Sequence, residues 1–268
     1  NNANSKRPAS IKYVLTGNGL TKEQVVTGNT NSDADWNYTF TNLPKYNNQG
    51  NVINYSVQEQ EVNPNDLKFY SKEVNGFNIT NKFRVPGDKV SIKVTKHWED
   101  DSNANNKRPT SIKYILKGGK EEKTQVVTGN RATDANWNYT FAELPKYDEN
   151  GQEYQYSIAE EITENAHLYQ KAITSNTTNE FNIVNTFKVP ADTINISVTK
   201  HWEDDLNANG KRPVSIKYIL KGGITEIEQV VTGNTITDAD WNYTFANQVK
   251  YNSQGDEIRY TVEEQEVN

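Results

Sequence analysis

The 268-residue sequence is 34% hydrophobic and 10% aromatic, with no cysteine and no methionine. Its 29 basic and 35 acidic residues leave a net charge of −6, which supplies no reservoir for neutralising phosphates and argues against a nucleic-acid partner. The lack of cysteine excludes disulfides, thiolate zinc sites and a cysteine nucleophile, and no apolar run reaches the roughly 18 residues needed to insert in a membrane as a helix.

The chain opens Asn1-Asn2-Ala3-Asn4-Ser5-Lys6, without the basic-then-apolar plan of a signal peptide or an initiator methionine, and reads as an internal or processed fragment. The next signal, Lys6-Arg7-Pro8, recurs as Lys107-Arg108-Pro109 and Lys211-Arg212-Pro213, at offsets of 101 and 104 residues. Trp36-Asn37-Tyr38-Thr39-Phe40 recurs at the same offsets, ending in Phe141 and Phe245, and His97-Trp98-Glu99-Asp100-Asp101 recurs as His201 to Asp205. A period near 100 residues exceeds the ~20–50 of solenoid repeats and fits tandem domains that each own a core. The expected domains are 1–86, lacking its first strand, 87–190, complete, and 191–268, lacking its last strand. Short linkers at Arg84-Val85-Pro86-Gly87 and Lys188-Val189-Pro190-Ala191 each hold a proline, which predicts semi-rigid spacing, tandem-domain contacts and a monomer.

The elements, in chain order, follow a period of two. Gly17-Asn18-Gly19 marks a hairpin and lacks the following helix that a phosphate loop requires. Ile53, Tyr55, Val57 and Glu59 share one face of a strand, and Phe77, Ile79, Asn81 and Phe83 one face of another. In the second unit Val90, Ile92, Val94, Lys96 and Trp98 lie on one face, with Ser91, Lys93, Thr95 and His97 on the other. Ile112, Tyr114 and Leu116 alternate with Ser111, Lys113 and Ile115, Trp137, Tyr139 and Phe141 alternate with Asn138 and Thr140, and turns such as Lys117-Gly118-Gly119 and Glu149-Asn150-Gly151 separate the strands. Then come Tyr154, Tyr156, Ile158 and Glu160, followed by Phe181, Ile183, Asn185 and Phe187. The third unit repeats the pattern with Ile194, Ile196, Val198, Lys200 and Trp202, and with Tyr260, Val262 and Glu264. No stretch shows helical spacing with caps. Short strands of this kind predict an antiparallel β-sandwich, so the fold class is all-β.

Each complete unit therefore places one lysine, one glutamate and one asparagine on faces that otherwise bury aliphatics. An unpaired charge there costs several kcal/mol, so the three must meet or neutralise one another. Two readings are open. One is a buried Lys–Glu ion pair hydrogen-bonded to an amide. The other is chemistry: desolvation favours a neutral, nucleophilic amine and a protonated carboxyl that shuttles protons, and held contact supplies the proximity for an amine–amide condensation with loss of ammonia.

The motifs Val94-Thr95-Lys96-His97-Trp98, Asn106-Lys107-Arg108-Pro109, Trp137 to Phe141, Leu144-Pro145-Lys146-Tyr147, Tyr156-Ser157-Ile158-Ala159-Glu160 and Ile183-Val184-Asn185-Thr186 span the second unit in order. With them the chain resembles tandem Cna protein B-type domains, the B repeats of Gram-positive collagen-adhesin surface proteins. The resemblance implies an inverse immunoglobulin-like β-sandwich. It also implies a self-generated isopeptide bond from a first-strand lysine to a last-strand asparagine, assisted by a glutamate: here Lys96, Asn185 and Glu160. Unit one keeps Glu59 and Asn81 without a partner lysine, and unit three keeps Lys200 and Glu264 without a partner asparagine. One bond is expected in this chain and three in an intact parent. Asn247-Gln248-Val249-Lys250 replaces the Leu-Pro-Lys pattern of the other units and leaves that local turn open.

The remaining signals are weaker. Asp205-Leu206-Asn207-Ala208-Asn209-Gly210 matches the opening of a calcium loop, but Ile216 stands where the bidentate glutamate belongs, so no metal and no cofactor are expected. His97 and His201 read as surface residues and His167 as a loop residue. The Lys-Arg-Pro triplets read as isolated charges, too few for a nucleic-acid patch. Asn37-Tyr38-Thr39 and its repeats are formal glycosylation sequons, which the bacterial resemblance does not support. Tyr13, Tyr114 and Tyr218 read as core residues in preference to a carbohydrate platform.

The functional expectation is a structural stalk of a bacterial surface adhesin, extracellular and wall-anchored through a region outside this chain. A host extracellular-matrix protein would be its partner through another part of the parent. It is not an enzyme beyond a single intramolecular turnover. The alternative is a module that itself binds matrix protein or glycan.

Overall fold

A computed structural model describes residues 2, 4–28, 32–129, 133–233 and 237–267. Asn1 and Asn268, which close the expected end domains, lie outside the described residues, as does Ala3. Contacts divide the chain into two compact units, and the division runs through the middle repeat. Residues 1–92, 116–123 and 140–157 form one unit, and 93–115, 124–139 and 158–268 the other.

Among the described residues the regular structure is all β apart from one-turn 3-10 segments. The first repeat holds β1 (Ser10–Gly17), β2 (Leu20–Thr27), β3 (Ser56–Glu61), β4 (Tyr70–Asn75) and β5 (Asn78–Phe83), as a sheet in the order β2-β1-β3 and a β4–β5 hairpin. β1 and β2 meet at a two-residue turn whose Asn18 and Gly19 both have positive φ (49° and 77°), the geometry that matches strand twist. The middle repeat holds β6 (Lys89–Glu99), β7 (Ser111–Lys117), β8 (Lys123–Thr128), β9 (Tyr139–Pro145), β10 (Ser157–Ile162), β11 (Tyr169–Thr177) and β12 (Glu180–Phe187). They form sheets in the orders β10-β7-β8 and β11-β12-β6-β9. The third holds β13 (Thr193–Val198), β14 (Ser215–Gly222), β15 (Thr225–Thr232), β16 (Tyr243–Val249) and β17 (Thr261–Glu266), in the orders β15-β14-β17 and β13-β16. The architecture is a tandem of immunoglobulin-like β-sandwiches.

The alternation sets the core. In the third repeat Ile216, Tyr218, Leu220, Val231, Trp241 and Phe245 are buried together, with Ile196, Val198 and Trp202 packed against them. Each large apolar side chain removed from water contributes about 1.5–3 kcal/mol. The pairing of β12 with β6 departs from the antiparallel expectation: the two strands run parallel, with Ile183 opposite Lys96 and Asn185 opposite Trp98. Parallel neighbours need a long connection, and the whole remainder of the repeat supplies it. The divergent Asn247 segment keeps the local geometry of its counterparts, since Asn247, Glu143 and Asn42 all take left-handed φ (55°, 56° and 55°).

A glycine faces the corresponding tryptophan in every repeat, buried at Trp137 and Trp241 and half-buried at Trp36. A Cβ on Gly129 would stand 2.0 Å from Trp137, on Gly28 2.2 Å from Trp36 and on Gly233 2.1 Å from Trp241. Gly129→Ala is therefore expected to cost about 1–3 kcal/mol by overpacking, read from the urea transition of tryptophan fluorescence. Gly87→Ala, whose Cβ meets nothing within 4 Å, should stay within about 0.5 kcal/mol. Equal effects of the two would refute the steric account.

Candidate functional site

β6 buries Ile92, Val94, Lys96 and Trp98 while Ser91, Lys93 and His97 face solvent, so strand alternation alone carries the lysine inward. β10, in the opposite sheet, carries Glu160 to it, and β12, beside β6, carries Asn185. The Lys96 and Glu160 side chains are both 0% exposed, with Nζ 3.7 Å from Oε1. Asn185 is also fully buried and its Nδ2 donates to Glu160 Oε2 at 2.9 Å. Lys96 Nζ donates to the carbonyl oxygen of His97 at 2.9 Å and stands 4.0 Å from the centre of the Trp98 ring. Glu160 Oε1 and Asn185 Oδ1 have no hydrogen-bond partner. Burial pushes the Lys96 ammonium down to about 8, against the nearby carboxylates of Glu160 and Asp134 that hold it up. A substantial neutral-amine fraction at mildly alkaline pH is the chemical consequence.

The end repeats assemble the corresponding pairs. Asn81 Nδ2 donates to Glu59 Oε1 at 2.8 Å, and Glu59 is 4% exposed. Desolvation raises the Glu59 carboxyl, opposed by the Asn81 hydrogen bond and the Lys72 charge. In the third repeat Lys200 Nζ lies 3.0 Å from Glu264, with both side chains more open to water at 20% and 39% exposure.

The Lys-Arg-Pro arginines are not isolated charges. Arg108 is buried, and its Nε and Nη2 donate to Asp100 Oδ2 and Oδ1 at 2.8 and 2.7 Å, while Nη1 lies 3.3 Å from Asp134. Tyr169 also donates to Asp100 Oδ2, at 3.3 Å. Burial works against the Asp100 charge, yet the Arg108 hydrogen bonds prevail and hold its carboxyl below the usual range. The third repeat copies the cluster with Arg212, Asp204 and Asp238, and the first pairs Arg7 with Asp33 at 2.8 Å. The sequence signal that would have found it is the aspartate three residues before each Trp-Asn-Tyr motif, together with Asp100 and Asp204 after the strand tryptophan.

The calcium-like loop owes its shape to protein donors. Asp205, Leu206 and Asn207 all take left-handed φ (51°, 60° and 64°), Asn207 Oδ1 accepts the Arg212 N–H at 3.0 Å, and Asp204 Oδ1 accepts the Asn207 N–H at 3.1 Å. Tyr114 and Tyr218 are buried, and their hydroxyls donate to the carbonyls of Trp137 and Trp241 at 2.8 Å, which makes them core residues. Tyr13, half-buried, makes the same bond to Trp36 at 2.9 Å. The His97 and His201 side chains are exposed, and His167, expected in a loop, lies in a 3-10 turn (Ala166–Leu168) with its ring tilted against Tyr251, centres 5.3 Å apart.

Residues 1–82, 92–186 and 196–268 each match the family model for the Cna protein B-type domain. The collagen adhesin of Staphylococcus aureus is 35% identical over 272 residues, an alignment covering 99% of this chain and 21% of that protein. The chain thus spans about a fifth of the length of this relative. Two B repeat units of the collagen binding protein of S. aureus are 31% identical, covering 99% of this chain and 65% of that one, with a TM-score of 0.33. A single B repeat unit of the same organism's collagen binding surface protein is 32% identical over 70% of this chain and 91% of that one, with a TM-score of 0.32.

Removing Arg108 would strand a buried carboxylate. Arg108→Ala is expected to destabilise the middle repeat by about 3–5 kcal/mol in chemical denaturation. Arg108→Lys should recover little of this, because an ammonium cannot reproduce the two-pronged bond to Asp100. Wild-type stability in Arg108→Ala would show that the cluster contributes nothing net.

Proposed function

Since this chain belongs to the Cna protein B-type domain family, we propose that it is a run of structural stalk repeats from a bacterial surface adhesin, stiffened by an isopeptide bond between Lys96 and Asn185 that Glu160 assists. The repeats correspond to 1–86, 87–190 and 191–268, and Glu59 with Asn81 and Lys200 with Glu264 are the halves of equivalent sites. The stalk lies outside the cell and is anchored through another region of the parent. The relative's name, collagen adhesin, supports a host matrix protein as the parent's ligand, held outside these repeats.

One observation carries the reading: the side chains of a lysine, a glutamate and an asparagine meet out of contact with solvent, and two of their oxygens accept no hydrogen bond. A structural ion pair would be expected to satisfy those atoms. The geometry supports the following reaction. Neutral Lys96 Nζ attacks the Asn185 amide carbon. Glu160 lies against both nitrogens, with Oε1 toward the amine and Oε2 already bonded to Nδ2, so it takes a proton from the former and delivers one to the latter. The C–Nδ2 bond breaks, ammonia leaves and a secondary amide remains. This is a single turnover, and no enzyme activity toward other molecules is implied.

The intact chain should weigh one ammonia less than its calculated mass, and a Lys96→Ala chain should match calculation; two matching masses would leave only a buried ion pair. The condensation rate should climb about tenfold per pH unit below about pH 8 and level off above it, because the neutral amine reacts. Saturable binding of a single repeat to a matrix protein in a solid-phase assay would overturn the pure-stalk reading.

A further inference from the structure

The backbone of the reactive lysine is held by side chains where a strand would ordinarily hold it. In the third repeat β13 pairs with β16 as far as Val198 opposite Tyr243, and there the ladder ends. Beyond it Asn242 Oδ1 accepts the Lys200 N–H at 2.9 Å and Asp238 Oδ2 accepts the Trp202 N–H at 3.2 Å. The middle repeat does the same: Asn138 Oδ1 accepts the Lys96 N–H at 2.8 Å and Asp134 Oδ2 the Trp98 N–H at 3.2 Å. Two acceptors four residues apart, on either side of a 3-10 turn (Ala135–Trp137), thus reach alternate N–H groups of one strand. Asp134 is steadied in turn by Arg108, whose guanidinium lies 5.5 Å from the centre of the Trp98 ring that Lys96 also approaches.

The third repeat separates this clamp from the last strand. Lys200 lies past the end of β13, and no strand of the third repeat among the described residues corresponds to β12. The clamp bonds persist there, and so do the placement of Nζ 4.2 Å from the Trp202 ring centre and its contact with Glu264. The lysine is therefore aimed without help from the strand that brings the asparagine.

We propose that Asn138, backed by Asp134, is a positioning residue for the condensation: it fixes the Lys96 backbone so that the amine already faces Glu160 when Asn185 arrives. This rests on the isopeptide reading above. It also accounts for the asparagine of the Asn-Tyr-Thr pattern in the second and third repeats, where Asn138 and Asn242, themselves exposed, turn the accepting oxygen onto the lysine's backbone. Condensation between held groups is sensitive to misplacement of the attacking atom, so a loosened backbone should slow the reaction with the chemistry of the three groups unchanged.

The test follows condensation of the full chain by cell-free translation, quenching in denaturant at intervals and reading intact mass across pH. The charged groups around Lys96 Nζ are Glu160 from β10, Asp134 and Arg108 from the flanking loops, and Asp100 after β6. Asn138→Ala is expected to slow condensation about tenfold while folding, followed by near-ultraviolet circular dichroism in a Lys96→Ala background, stays complete. Asn138→Asp keeps an acceptor at the same place and adds a negative charge near the amine. It should recover most of the rate at high pH, with the midpoint of the pH profile moved upward. Condensation of Asn138→Ala at the wild-type rate overturns the proposal, and so does an Asn138→Asp chain as slow as Asn138→Ala with an unmoved midpoint. If Asn138→Ala fails to fold, Asn138→Gln, which displaces the oxygen by one methylene, carries the same two outcomes. A wild-type chain that never loses ammonia would instead remove the isopeptide reading, and this proposal with it.

Discussion

Everything distinctive in the middle repeat follows from the burial of one primary amine. Taking an ammonium and a carboxylate out of water costs several kcal/mol each, and their attraction offsets this only when the remaining donors and acceptors are satisfied. Here they are not: Glu160 Oε1 and Asn185 Oδ1 accept no hydrogen bond, and Lys96 donates to a backbone carbonyl instead. Such a core is strained toward neutrality. A shift of the proton equilibrium relieves part of the cost, as the lowered Lys96 value indicates. On the proposed reading, condensation relieves the rest: the charged pair and the primary amide become an uncharged secondary amide beside a protonated Glu160, and ammonia is released.

Burial of this degree needs both sheets closed. Where β6, β10 and β12 are all present, the lysine and glutamate side chains are 0% exposed; in the third repeat, where no strand among the described residues corresponds to β12, the same two residue types remain in contact but stand 20% and 39% exposed. The contact is thus a property of β13, β17 and the loop that clamps Lys200, whereas the desolvation is a property of the closed sandwich. On the proposed reading, the aim of the amine and its desolvation thus have separate structural sources.

The sequence disclosed the triad because a strand has only two faces. Lys96 between Val94 and Trp98, Glu160 after Ile158 and Asn185 after Ile183 each break an apolar stripe in a way that period-two reading exposes directly. The parallel pairing of β6 with β12 was beyond that reading, since alternation fixes faces and says nothing of direction. The Arg108 cluster was hidden for another reason. Asp100, Arg108 and Asp134 lie on separate segments, and the loop between the first two turns through three successive left-handed residues, Asp101, Ser102 and Asn103, a path that no periodicity encodes. Asn138 was placed on the exposed face, where it lies, but alternation did not disclose its bond. It alternates with Trp137 and Tyr139 as a solvent-facing residue would, but its short amide turns back onto the neighbouring strand.

The parallel pairing also determines what a Lys96–Asn185 link would do under load. The chain enters the repeat along β6 and leaves along β12, and with the two strands parallel these entry and exit points lie at opposite ends of the pair. A pull on the termini therefore shears β6 against β12, loading their ladder bonds together. Lys96 sits opposite Ile183, two residues from Asn185, so a covalent link there spans the shearing interface directly. Force arriving along β6 would cross at Lys96 and depart after Asn185. Residues 97–184, which include both buried aspartate–arginine partners and most of the core, would then lie outside the load path. Their non-covalent stability, limited to the ordinary few kcal/mol of a small domain, would no longer set the strength of the stalk.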